Sequence, residues 1–315
     1  MLSPASNANT QATAVILGGT GELGFHVSTI FLTEYRSAFP TVRITTRDTA
    51  SSKAKELAAK GAQVVSFGES WDIVLSGADV VVNVLPTPVV QGFNQELVAA
   101  LLKNGVKVYF PPSFGGDYRV TDFPGFELAE WSMKRAVEEE TRALAEGKIK
   151  VISLMNGGFL SWLLRPDRTI GVDVANNTFT CFDPPSARLA VTDLADIGRA
   201  VAQLSVLGLD PKAGSTVPDV VRIAGQNVSM EDVRDAVARV KGVAPGRIIS
   251  LGDPAPAKKA LREDYPDSQH RLLDYLRVAI AEGQLEISEN ENELVNPGQT
   301  LWKWKTIDDE LRGIQ

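Results

Sequence analysis

The feature that most constrains this chain is a glycine-rich turn close to its N-terminus. A short apolar run ends at Leu17 and is followed by Gly18, Gly21 and Gly24, and then by a helical pattern that extends to about Tyr35. The turn needs backbone angles that a side chain would obstruct. The second glycine lets the main chain approach a diphosphate, and the third lets the helix pack closely on the strand. The N-terminus of the helix then offers unpaired N–H groups and a partial positive charge to an anion.

A strand before the glycines and a helix after them favour a dinucleotide-binding turn over an ordinary glycine-rich loop, although the bare pattern leaves both open. On the first interpretation the cofactor contacts the turn and the start of the helix. The residues expected to make these contacts are Gly18, Thr20, Gly21, Glu22, Leu23 and Gly24.

Composition excludes several classes of function. A net charge of −7 without a basic run is unfavourable for binding nucleic acid. The single cysteine, Cys181, cannot form an intramolecular disulfide and favours a reducing compartment. His26 and His270 are the only histidines, so we expect neither a zinc site nor a Ser-His-Asp hydrolase, and no metal.

The chain also lacks the signals of membrane insertion or secretion. No apolar run approaches the ~20 residues of a membrane helix. Residues 1–13 are polar, without the basic start and apolar core of a signal peptide. We therefore expect a cytoplasmic protein with no membrane partner, and the sequence leaves open whether it is a monomer or a homodimer.

Strands and helices alternate through the first half of the chain. After the first strand, strand-like runs occur at 42–46, 63–67, 78–85, 106–110 and 150–155, and helical patterns lie between them at 52–60, 69–76, 88–102 and 126–146. Such βαβ units form a parallel sheet with right-handed crossovers. The predicted fold class is α/β, with a Rossmann-type doubly wound parallel sheet and a smaller C-terminal substrate-binding region.

The alternation becomes irregular beyond Asn156. Helices are predicted at 158–164, 193–207, 229–240 and 258–282, and strands near 178–180 and 220–223. We expect a flexible lead-in at 1–12, an NADP-binding Rossmann domain at 13–155 and a substrate-binding region at 156–315. The pattern allows the chain to cross back to the sheet near 178–223.

The residue at the end of the second strand selects between the two nicotinamide cofactors. Here it is Arg47, whose guanidinium can pair with a 2′-phosphate at two points, and Ser51, Ser52 and Lys53 follow closely. Asp48 complicates this interpretation, because a carboxylate directed at the ribose would weaken the preference for a cofactor with a 2′-phosphate. The pattern indicates NADPH as the cofactor. Asn83, Leu85 and Pro86 end the fourth strand and are expected to run beside it.

The Tyr-x-x-x-Lys pair of ordinary short-chain dehydrogenases, in which lysine lowers the pKa of the tyrosine, is absent. None of the five tyrosines is followed by lysine four residues later. A different set of short motifs is present in order: residues 18–24, Arg47, 95–107, 110–117, 134–138, 156–159 and 193–198. Over residues 12–245 this set resembles the NmrA-like and isoflavone reductase-like family of atypical short-chain dehydrogenases/reductases.

The resemblance implies an NADPH cofactor and a nicotinamide near Phe114, Lys134 and Asn156. Residues 110–117 resemble the family's F-x-P-S-E-F-G-x-D loop, but Pro112 and Ser113 stand where the family has serine and glutamate.

The family's reductases also place a catalytic lysine in the long helix. Either Lys134 is that lysine, or Lys134 and Arg135 align with a basic pair farther along and the catalytic position falls near Glu130. Lys134 shares a helix face with Trp131, where it could donate a proton or polarise a carbonyl. The competing interpretation is a surface lysine paired with Glu130 or Glu138, which is worth only ~0.3–0.5 kcal/mol.

Aromatic side chains from three cleft-facing segments predict a pocket for a flat, apolar substrate. They are Phe114, Tyr118, Trp131, Phe159 and Trp162. The favoured function is an NADPH-dependent reductase of a hydrophobic or aromatic small molecule in secondary metabolism. The family resemblance implies that the acceptor is a conjugated double bond, an imine or a benzylic ether. The alternatives are an NADP(H)-binding regulator or redox sensor without turnover, and a cofactor-assisted non-redox enzyme such as a cyclase.

Overall fold

The computed structural model describes residues 11–165 and 170–313. At its centre is a parallel six-stranded sheet with strand order β3-β2-β1-β4-β5-β6. The strands are β1 (Thr13–Leu17), β2 (Thr41–Thr46), β3 (Gln63–Ser66), β4 (Val80–Asn83), β5 (Val108–Phe110) and β6 (Lys150–Val151). The strand order reverses between β1 and β4, which creates the crevice where sheets of this kind bind ligands.

The helices of the first half connect these strands. They are α1 (Glu22–Thr33), α2 (Ser52–Ala59), α3 (Trp71–Val74), α4 (Thr87–Gln91), α5 (Asn94–Lys103) and α6 (Ala129–Ala145). The second half continues with β7 (Ser153–Met155), β8 (Gly158–Phe159), α7 (Leu160–Leu163), β9 (Val172–Asp173), β10 (Thr178–Cys181), β11 (Arg188–Thr192), α8 (Leu194–Leu209), β12 (Val220–Arg222), β13 (Gln226–Ser229), α9 (Met230–Lys241), β14 (Arg247–Ser250), α10 (Ala255–Glu263), α11 (Leu272–Ala281), α12 (Asn292–Val295) and α13 (Ile307–Gly313).

The central sheet is covered on both faces. Alternate side chains of β1 enter different cores: Ala14 and Ile16 pack with α1 and α8, whereas Val15 and Leu17 pack with α5. This follows from the two-residue period of a strand and explains why the strand sequences are almost wholly apolar. The predicted α/β class and doubly wound parallel sheet are confirmed. The predicted lead-in at 1–12 lies almost entirely outside the described residues.

The sixth predicted strand is shared between two partners. Residues 150–151 pair with β5, whereas 153–155 pair in parallel with β12, and Ser153 N–H donates to the Asp219 carbonyl at 2.9 Å. Two smaller sheets, β14-β10-β9 and β13-β11-β8, follow within the described chain. They pack with α9 and α11 around a further apolar core.

Two helix predictions are wrong in their continuity. The helix predicted at 88–102 is divided at Gly92 into α4 and α5. The helix predicted at 258–282 is divided into α10, a 3₁₀ turn at Asp267–His270 and α11. Pro266 explains the second break, because proline has no N–H to continue a helix. Strands β8, β9, β11, β13 and β14 were not predicted. Strands β8, inside the helix predicted at 158–164, and β9 have only two residues each, whereas β11, β13 and β14 pair with segments far away in the sequence.

The described stretches contain neither a candidate membrane span nor a candidate metal site. No helix within residues 11–165 or 170–313 is both long and apolar enough to cross a bilayer. The same stretches contain no group of three or more His, Cys, Asp or Glu side chains suitably arranged for a metal ion.

A buried carboxylate fixes α6 against the loops beside the cleft. Glu138 accepts hydrogen bonds from the Tyr118 hydroxyl, from the Arg142 guanidinium at 2.8 Å and from the Ser153 hydroxyl at 2.8 Å. Burial alone would raise the pKa of Glu138, but these hydrogen bonds outweigh it and hold the pKa below its ordinary value.

We predict that Glu138→Gln lowers the free energy of unfolding at pH 7 by about 1–3 kcal/mol, because it removes the charge from a buried carboxylate that accepts hydrogen bonds from Tyr118, Arg142 and Ser153. A group with a lowered pKa stabilises the fold above its unfolded pKa, and this stabilisation is lost as the pH falls through the folded value. The difference between wild type and variant, measured by urea unfolding, should therefore shrink below about pH 4. Glu139→Gln, at the exposed neighbouring position, is the control. Equal losses in the two variants would contradict this account.

Candidate active-site cleft

The glycine turn is held rigidly at the end of β1. Gly18 has a φ of 82°, a backbone conformation that favours glycine. Its N–H donates to the Thr45 hydroxyl at 3.0 Å, and the Gly19 N–H donates to the Thr45 carbonyl at 3.0 Å. A Cβ atom on Gly24 would lie 2.2 Å from the Gly18 carbonyl oxygen, so α1 packs directly on the turn. Gly21 caps α1 without a side chain, which leaves the N-terminal N–H groups of the helix without a side-chain partner.

A cleft of about 1050 Å³ opens from this turn across the carboxyl ends of β2 and β4 and continues to α7 and α11. It brings together most of the site residues predicted from the sequence. Those that line it are Gly18, Thr20, Gly21, Glu22, Leu23, Arg47, Leu85, Pro86, Phe114, Trp131, Lys134, Phe159 and Trp162.

Four predicted residues lie outside this lining: Gly24, Asn83, Tyr118 and Asn156. The Asn83 amide donates to the Tyr109 hydroxyl at 3.0 Å, and its oxygen accepts the Leu85 N–H at 3.2 Å. Through these two hydrogen bonds Asn83 holds the loop after β4 in position.

Asn156 and Tyr118 are also buried behind the cleft wall. The Asn156 side-chain oxygen accepts the Gly115 N–H at 3.1 Å, and the Tyr118 hydroxyl donates to Glu138. Both side chains therefore fix the loop that carries Phe114, and neither forms part of the cleft surface.

Glu22 joins the glycine turn to α7 across the cleft. One carboxylate oxygen accepts the indole N–H of Trp162 at 2.8 Å and a guanidinium N–H of Arg165 at 3.0 Å. The negative charge at the start of α1 is therefore paired with a cation from the second half of the chain.

The corner of the cleft beside β2 is basic. Asp48 accepts the Ala50 N–H at 2.8 Å with one carboxylate oxygen, which closes a turn of its own loop. Arg47 is exposed, lines the cleft and has no ion-pair partner among the residues that the structure describes. Lys53 and Ser52 line the same corner. This arrangement favours Arg47 over Asp48 as the side chain available to a ligand.

Lys134 lies in the wall of the cleft, with only 10% of its side chain exposed. Its ammonium donates to the Phe114 carbonyl at 2.5 Å and lies 3.3 Å from Glu130 Oε1. Glu138, the other acid considered as a partner, belongs to its own buried network. Lys134 is thus not a freely exposed surface lysine, and both alternatives for the catalytic position, Lys134 and Glu130, line one cleft.

The sequence interpretation missed the far wall of the cleft. This wall is formed chiefly by Leu272, Leu276 and Ile280 of α11, with Leu189 and Leu285 opposite. The signal was present, because residues spaced by four lie on one helix face. The helix predicted over 258–282 did not reveal this face, because its many charged side chains are typical of a solvent-exposed helix.

We predict that Gly24→Ala lowers the free energy of unfolding by about 1–3 kcal/mol, because its methyl group would overlap the Gly18 carbonyl and push α1 away from the turn. Urea unfolding measures the change. The control is Gly68→Ala, where the nearest atom to a new Cβ lies 3.8 Å away. A Gly24→Ala protein as stable as this control would contradict close packing at the turn.

Comparison with known proteins matches residues 10–244 to the NmrA-like family. The chain belongs to the NmrA-like family. A relative is an NmrA-like family domain-containing oxidoreductase of Gibberella moniliformis, 27% identical over 180 residues. The match covers 57% of this chain and 56% of that relative, little more than half the length of each.

Solved structures of similar fold include isoflavone reductase and AtPrR2. Isoflavone reductase is 18% identical with a TM-score of 0.74, and the alignment covers 97% of this chain and 100% of that one. AtPrR2 with NADP+ and (+)pinoresinol is 18% identical with a TM-score of 0.73, covering 97% and 99%. At these identities the likeness establishes the fold, in agreement with the resemblance noted in the sequence.

Proposed function

We propose that this NmrA-like protein is an NADPH-dependent reductase of a hydrophobic small molecule. The observation that carries the proposal is the continuity of one cleft. It joins an uncapped helix N-terminus and Arg47 at one end to an apolar pocket at the other, with Lys134 in its wall. The NADP+ named for AtPrR2 and the oxidoreductase name of the Gibberella moniliformis relative support the same assignment.

The residues fit the proposed cofactor. Gly21 lines the cleft at the N-terminus of α1 and has no side chain that could cover the helix N–H groups, which would bind a diphosphate. Arg47 supplies the cation for a 2′-phosphate. Bound NADPH would supply the hydride.

Residues of the chain itself would bind the substrate and protonate it. The Lys134 ammonium would donate a hydrogen bond, and then a proton, to the acceptor atom of the substrate as negative charge develops there. Glu130 Oε1 lies 3.3 Å from this ammonium and forms an ion pair with it beside the substrate space. The apolar walls exclude water from the reacting atoms.

A regulator that binds NADP(H) without turnover is the second candidate. It is favoured by one observation, that the Lys134 ammonium already has two partners, the Phe114 carbonyl and Glu130. An amine that keeps both partners would hold the loop at Phe114 in place and perform no proton transfer.

We predict that Arg47→Ala weakens NADPH binding about 10–100-fold and leaves NADH binding nearly unchanged, because a charge-assisted contact to a phosphate contributes ~1.5–3 kcal/mol. Fluorescence titration of the two cofactors measures this selectivity. Lys55→Ala removes an exposed cation of α2 outside the cleft and serves as the control. Equal weakening for the two cofactors would refute the role of Arg47.

We predict that the wild type consumes NADPH with members of a panel of enones and imines. Lys134→Met should lower kcat by at least about 100-fold while preserving NADPH affinity, because general acid catalysis contributes 10²–10⁴-fold. Absorbance at the NADPH band gives the rate, and Glu139→Gln on the same helix is the control.

Two outcomes would contradict parts of this proposal. Undiminished turnover in Lys134→Met would remove Lys134 from the mechanism. Tight NADPH binding by the wild type without any NADPH consumption would favour the regulator.

A further inference from the structure

The cleft is divided into a polar part and an apolar part along the sequence. Ionisable and hydroxyl side chains of the described lining, such as Arg47, Lys134 and Thr87, all come from residues before 135. Beyond residue 156 the lining side chains are hydrocarbon, apart from the indole N–H of Trp162, which donates to Glu22. Among the described lining residues, a ligand that extends past Lys134 toward α11 therefore meets no ionisable, hydroxyl or amide side chain.

The wall contributed by α11 has the character of a ligand surface. One face of the helix, with Tyr275, Val278 and Ala279, is fully buried in the core. A second row, Leu272, Leu276 and Ile280, is only partly buried and lines the cleft. Three aliphatic side chains in a concave, solvent-accessible row favour an apolar occupant, because each would gain free energy by losing contact with water.

We infer that the substrate carries a single polar group, at its reacting end, and that the rest of the molecule is unsubstituted hydrocarbon. This inference rests on the proposed reductase function and specifies its substrate class. The polar group would lie at Lys134 and Glu130, and the hydrocarbon body would lie between α11 and the side chains of Leu189 and Leu285.

The same geometry disfavours a molecule with hydroxyl groups at the opposite end. A hydroxyl buried against leucine and isoleucine side chains gives up its hydrogen bonds to water and gains none. Binding in the reverse orientation would not improve the affinity, because the polar group of the reacting end would then be buried against the same apolar wall. The expected loss of affinity per unpaired hydroxyl is about 10–100-fold.

The test is equilibrium binding to NADP+-loaded full-length protein, measured by calorimetry so that no turnover is needed. The probes are 4-phenylbut-3-en-2-one and 4-(4-hydroxyphenyl)but-3-en-2-one, which differ by one distal hydroxyl. We expect the first to bind at least 10-fold more tightly. Equal affinity, tighter binding of the phenol, or no binding of either probe would overturn the inference. Failure of NADP+ itself to bind is measured separately and would instead refute the proposed cofactor.

Two variants test whether the α11 wall causes the difference in affinity between the two probes. Leu276→Asn, and the smaller change Ile280→Thr, each add a hydrogen-bonding group and should reduce the ratio of the two affinities several-fold. Leu144→Asn on α6, outside the cleft, should leave the ratio unchanged. Circular dichroism verifies folding of each variant. An unchanged ratio in a folded Ile280→Thr protein would contradict the assignment of this wall to the substrate.

Discussion

The contact on which the rest of the site depends is the packing of α1 against its own preceding turn. Gly24 leaves no room for a side chain over the Gly18 carbonyl, and Thr45 on the neighbouring strand holds the other side of the turn. Because the turn is fixed from two directions, the N-terminus of α1 is presented at the edge of the sheet in one orientation. The positions of Arg47 at the end of β2 and of the loop after β4 follow from the same sheet.

The second organising feature is a set of buried polar side chains that hold the loops lining the cleft. Asn83, Asn156 and Glu138 make their hydrogen bonds within the protein, yet each fixes a segment that lines the cleft or lies beside it. Lys134 belongs to the same system, since its ammonium is bound to the Phe114 carbonyl. A polar ligand that displaced this ammonium from the Phe114 carbonyl would remove one hydrogen bond that holds the loop. The geometry is therefore compatible with both the reductase and the regulator proposed above.

The sequence predicts the α/β fold and the location of the turn well, because strand and helix periodicity and the glycine spacing are local signals. It does not predict the division of residues 150–155 between β5 and β12, because that division depends on a strand some 70 residues away. It misassigns Tyr118 to the pocket surface, because an aromatic residue near a cleft has the same local pattern whether it faces the ligand or Glu138. It overlooks α11, whose lining row is visible only once the helix is known to border the cleft.

The most direct test of the account is amide hydrogen exchange of the glycine turn with and without NADPH. If the N–H groups at the start of α1 bind a diphosphate, peptides covering residues 18–24 should become strongly protected in saturating NADPH, while peptides covering α9 should be unchanged. Exchange at 18–24 that is the same with and without NADPH would contradict the central claim that this turn binds a dinucleotide.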